Sequence, residues 1–134
     1  MTSDDTQLVH TMMLLSSLGY RAAPWGARIV LSISGARSDI WFGSDGIATI
    51  TTELKPSTGS RFDPEAVGRA NMRDDIGHLA IVRDGLRMEA DFRLSPCETG
   101  ARERLERHLA HWAHQLDALR SLAPQLCVGE VSSP

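Results

Sequence analysis

Three histidines, His108, His111 and His114, recur every third residue in "RHLAHWAHQ". Imidazole is a good zinc ligand, and residues three apart on a helix are surface neighbours. Each step of three, however, advances about 300° around a helix. The three rings therefore drift around the axis, away from the apolar stripe Leu105, Leu109, Trp112, Leu116 and Leu119. No carboxylate sits among them at ligand spacing. The pattern points to a solvated helix flank, with no metal and no cofactor expected.

The remaining reactive side chains are scattered. His10 and His78 are isolated, and neither belongs to a recognisable triad motif. Asp4-Asp5 read as a helix start, and Asp74-Asp75 as a helix end leading into a turn. Cys97 and Cys127 have neither metal spacing nor a disulfide framework, and read as two free thiols in a reducing compartment. There is no GxGxxG, no P-loop and no GxSxG elbow. The chain is not expected to be an enzyme. The weakest alternative is a small metal-dependent hydrolase using His78 or the His108–His114 cluster.

The 134 residues are the size of one domain, and 42% hydrophobic with 23% charged residues is a globular balance. A net charge of -3 does not favour nucleic acid as a partner. "MTSDDTQLVHTMMLLSSLGY" opens on acids and is broken by polar residues, unlike a signal peptide. No run reaches the ~18 apolar residues of a membrane span. A cytoplasmic protein, with no membrane partner, is the expectation.

The elements that must position these side chains follow from periodicity. Leu8, Val9, Met12, Met13, Leu15 and Leu18 recur at helical spacing between Asp4 and the stop signal Gly19. "RIVLSIS", "SDIWF" and "IATITTEL" read as a three-stranded meander, with "GSDG" as a turn. Residues 55–61 read as a loop. Asp63-Pro64-Glu65 starts a short helix that ends near Asp74 or Asp75. "HLAIV" and "LRMEADFRL" form a hairpin closed by Asp84-Gly85. Its alternation predicts Leu86, Met88, Phe92 and Leu94 buried, and Arg87, Glu89 and Arg93 exposed. A last helix runs from about Thr99 to Leu122. The expected fold is therefore α+β, in the order α-β-β-β-α-β-β-α, with an antiparallel sheet packed by helices. Residues 1–123 would form a single domain and 124–134 a flexible C-terminal tail.

With that order in hand, the chain resembles the YbjN family of bacterial proteins, which share the type III secretion chaperone-like fold. The likeness rests on the element order over residues 4–122 and on "LGY" ending the first helix at residues 18–20. It rests also on "RANMRDDIGHLAIVRDGLRMEADFRL", residues 69–94, where an Asn-containing helix end leads into the hairpin. "MRDD" stands where family members often carry an aromatic and a second Asn. The resemblance implies no catalytic residues. It implies a small, often dimeric protein that binds other proteins as a chaperone or regulator.

The expected function is a non-enzymatic protein-interaction domain, chaperone-like or regulatory, that forms a homodimer and binds a partner protein. An immunity or antitoxin-type inhibitor of a co-encoded toxin is the alternative. One feature bears on where a partner would sit. Apolar residues of the first helix cover more than half its circumference, with Leu14 outside the arc of the others, whereas a helix on a small sheet needs a stripe of about 100° or somewhat more. Met13 and Leu14 are accordingly the candidate protein-contact residues, since flexible thioethers adapt to varied apolar partners.

Overall fold

Tight turns with left-handed backbone set up the sheet. The computed structural model describes residues 3–43 and 45–129, with side chains from Thr6 onward. Strand β2 (Arg28–Ile33) returns as β3 (Ala36–Phe42) through Ser34-Gly35. Both turn residues have positive φ, 50° and 77°, as the hairpin twist requires. β4 (Ile47–Leu54) follows after a loop closed by a bond from the Gly43 N–H to the Ile47 carbonyl.

A further edge strand, β1 (Ala22–Trp25), precedes these and pairs with β2. No strand is expected there from the sequence, and β1 contains Pro24. On an edge the missing N–H costs no ladder bond, so proline is tolerated there.

After β4 the chain leaves the sheet through β5 (Ser60–Phe62) and α2 (Pro64–Ala70), then returns as β6 (His78–Val82) and β7 (Gly85–Arg93). The order is β1-β2-β3-β4-β7-β6, antiparallel throughout, with β7 running along all of β4 from Ile47↔Arg93 to Leu54↔Leu86. The β6–β7 turn is Arg83-Asp84, one residue earlier than the expected Asp84-Gly85. Arg83 takes the positive φ of 59°. Gly85 is instead a strand residue held close to β4: a Cβ there would lie 3.1 Å from the Leu54 carbonyl oxygen.

Helix α2 stops at Ala70, well short of Asp74. The Asp63 carboxylate caps its start by accepting from the Glu65 N–H. At its end the Asn71 amide donates to the Leu79 carbonyl at 2.8 Å and accepts from the Leu79 N–H at 2.7 Å. That pair of bonds occupies one outward-facing position of the edge strand β6, which protects it from pairing with other chains.

Helix α1 (Ser3–Ser17) and helix α3 (Ala101–Leu126) pack on one side of the sheet, over Ile29, Leu31, Ile40, Ile50, Met88 and their neighbours. Leu105, Leu109, Leu116 and Leu119 of α3 are fully buried there, as the stripe predicts. Trp112 lies among them, 1% exposed, and its indole N–H donates to the Ser38 hydroxyl at 3.1 Å.

The end of α3 differs from the expectation. The helix passes Pro124 to Leu126, and Cys127–Gly129 form β8, paired with β5 in a separate two-stranded sheet. The Asp63 N–H also donates to the Leu126 carbonyl at 2.8 Å. Residues 124–129, read as a tail, are therefore clipped to the segment before α2. The rest of that tail, 130–134, lies outside the described residues.

Candidate functional site

Among the described residues the helices sit on one side of the six-stranded sheet, and no helix covers the other. Strand alternation selects what it carries. Arg28 of β2 stands between Trp25 and Trp41 in the cross-strand register. Asp39 stands next to Thr51, which stands next to Glu89 and then His78. Arg37, Glu53 and Arg87 lie in the neighbouring row.

These side chains interlock. The Arg28 guanidinium lies 4.4 Å above the Trp41 ring, and that of Arg37 lies 5.7 Å from the Trp25 ring. Both arginines reach the mostly covered Asp39 carboxylate, Arg37 at 3.1 Å and Arg28 at 3.6 Å. Together with Thr51, Thr52, Glu53 and Arg87 they line a depression of about 350 Å³. Leu86, Met88, Phe92 and Leu94 are buried as predicted, and Arg93 is exposed. Arg87 and Glu89 are half-buried rather than exposed, because their row neighbours crowd them.

Sequence reading missed this cluster. The signal present was the alternation within "RIVLSI" and "ARSDIWF", which places Arg28, Arg37, Asp39 and Trp41 opposite the buried isoleucines.

The expected contact residues on α1 part company. Met13 is 63% exposed and Val9, one turn before it, 47% exposed. Leu14 is half-buried and packs against the core. What flanks α1 there is the segment joining β7 to α3. Arg102 donates to the Ser17 hydroxyl and carbonyl at 3.1 and 3.2 Å. Cys97 Sγ lies 2.9 Å from His10 Nδ1, with the thiol exposed and the imidazole half-buried.

The three histidines of α3 do not act together. His111 and His114 are exposed, while His108 stacks on Phe92 with ring centroids 4.6 Å apart. Among the described residues no group of three or more His, Cys, Asp or Glu is placed to hold a metal ion. The acids are also dispersed. Asp75 is bound by Arg73 through two hydrogen bonds, which hold its carboxyl below the usual range. The side chains of Asp4 and Asp5 lie outside the described residues.

Burial, helped by Arg107, His111 and Arg104, lowers the His108 pKa. The fold thus favours its neutral form. Above the unfolded value of about 6.5 both states are neutral and the contribution is whole; it is lost as pH falls through that value toward the folded one. The thermal midpoint should therefore fall between pH 7 and pH 5, and less steeply in His108→Gln. An unchanged slope in that variant would exclude His108 as the titrating group.

Fold and face together define a class: an α+β domain with one antiparallel sheet, helices on one side and a polar, aromatic surface on the other. No protein-family model matches the chain, and no curated protein matches it. Among solved structures it is similar to the crystal structure of YbjN from E. coli, described there as a candidate transcription regulator. The TM-score is 0.61 at 15% identity, covering 90% of this chain and 95% of that one. The chain has the YbjN-like fold. No helix among the described residues is long and apolar enough to cross a membrane.

Proposed function

We propose that this chain is a non-enzymatic, cytoplasmic protein-interaction domain, regulatory or chaperone-like, that docks a partner protein on the open face of its sheet. The observation that carries this reading is the interlocked Trp25, Arg28, Arg37, Asp39 and Trp41, of which Arg28, Arg37 and Asp39 line the depression. Tryptophan and arginine are the residues that most often anchor protein interfaces. The face is balanced in charge: Arg28, Arg37, Arg87 and Arg93 stand against Asp39, Glu53, Glu89 and Asp91. Nucleic acid needs a basic excess, so a protein partner fits better. YbjN's description as a candidate transcription regulator is compatible with a regulatory role exercised through protein contacts.

The test is cross-linked capture from the host of origin, read by mass spectrometry, with the wild type and an Arg37→Glu/Arg87→Glu variant. Charge reversal should reduce recovery of the specific partner at least about tenfold while circular dichroism stays unchanged. Equal recovery would remove the open face from the interaction.

A second surface is favoured by its own observation. Val9 and Met13 form an exposed apolar pair on α1, and we assign to it, with Leu14 at its edge, the contact of a homodimer. Met13→Glu should then halve the mass seen by light scattering. A wild type that is monomeric at high concentration would dismiss this contact and leave the open-face reading intact.

A further inference from the structure

We infer that Cys97 and His10 form a nucleophile–base pair, and that Cys97 is a site of oxidative modification by hydroperoxides. The two residues are 87 positions apart in sequence, yet their Sγ and Nδ1 atoms lie 2.9 Å apart. The fold brings them together from two elements: His10 from the middle of α1, and Cys97 from the turn between β7 and α3. That turn is braced by the Glu98 N–H bond to the Ser95 carbonyl, and the seam is held a few residues later by the Arg102–Ser17 bonds.

Two conditions for a reactive thiol are met at once. The sulfur is open to reagents, since Cys97 is exposed. A ring nitrogen within hydrogen-bond reach can take the thiol proton during attack, the arrangement that activates cysteine nucleophiles. Cys127 meets neither condition as well. It is half-buried, and among the described residues no histidine contact to its sulfur is found.

The step balances as Cys–SH plus ROOH giving Cys–SOH plus ROH. The sulfur attacks the distal peroxide oxygen, so an S–O bond forms and the O–O bond breaks. The thiol proton passes to His10 Nδ1 and then to the departing alkoxide or hydroxide. Sulfur is oxidised by two electrons and the peroxide is reduced to alcohol or water. The product, a sulfenic acid, is reversible by thiols. This chemistry is independent of which partner the domain binds and of which face binds it.

The experiment uses the full chain, hydrogen peroxide as the oxidant and dimedone as the sulfenic-acid trap, with mass spectrometry reporting each cysteine separately. An ordinary exposed thiol reacts no faster folded than unfolded, whereas a base-assisted one does. Cys97 should be labelled at least about tenfold faster in folded protein than in urea, a modest share of what a positioned base supplies. His10→Asn and His10→Gln, which keep a hydrogen-bonding group but accept no proton, should lower the folded rate to the unfolded level. Labelling of Cys97 that is no faster folded than unfolded overturns the proposal. So does a folded His10 variant that keeps the wild-type rate. The urea comparison needs no variant, so it decides the matter even if both substitutions unfold the chain.

Discussion

Trp112→Ala should lower the free energy of unfolding by about 3–5 kcal/mol. That is a large part of the roughly 5–15 kcal/mol available to a domain. The ring is almost wholly buried between α3 and the sheet, and its removal leaves a cavity where Leu109, Leu116 and the β3 residues cannot fully collapse. It also strands the Ser38 hydroxyl, which accepts a hydrogen bond from the indole N–H. Urea denaturation should show a lower midpoint with an unchanged slope. A double-mutant cycle separates the two terms: Trp112→Phe with Ser38→Ala should cost less than the sum of the single changes, because no buried hydroxyl is left unpaired. A cost for Trp112→Ala below about 1 kcal/mol would mean that α3 is not seated on the sheet as described.

Phe92→Ala should cost about 3–5 kcal/mol. Glu89→Gln, on the opposite face of the same strand, should stay within about 0.5 kcal/mol. Phe92 is buried, pairs across from Ala48 on β4 and carries the His108 ring on its other side. Glu89 points to the open face beside Thr51 and His78, where water can still reach it. Strand alternation places the two residues in opposite environments, so the contrast tests the register directly. Equal costs would show a register displaced by one residue.

The parts of this protein readable in the chain are those whose signal is local and repeated. The stripe of α3 persists over several turns, so its buried face could be assigned residue by residue. "LRMEADFRL" alternates without interruption, so its core face followed as well. The strand order around the meander followed from turn residues a few positions apart. Local signals failed where a short element has no period to display. Ser60–Phe62 and Cys127–Gly129 are three residues each and become strands because the end of α3 carries one to the other. Pro24 offers no N–H to a ladder, and only the edge position of β1 makes it harmless. Gly85 read as a turn glycine, while its role is to let β7 approach the Leu54 carbonyl.

The functional surfaces belong to this second kind. Arg28, Arg37, Asp39 and Arg87 each show only that they lie on the polar side of a strand. Their meeting around one depression depends on the register of β2, β3, β4 and β7, which is a property of the assembled sheet. Helix α1 is apolar around most of its circumference, so its sequence could not say which side is covered. The β7–α3 segment, approaching through Cys97 and Arg102, flanks it beside Leu14, and Val9 and Met13 are left exposed. Periodicity encodes which face of an element turns inward; which distant elements then share a surface depends on contacts that no stretch of neighbouring residues contains.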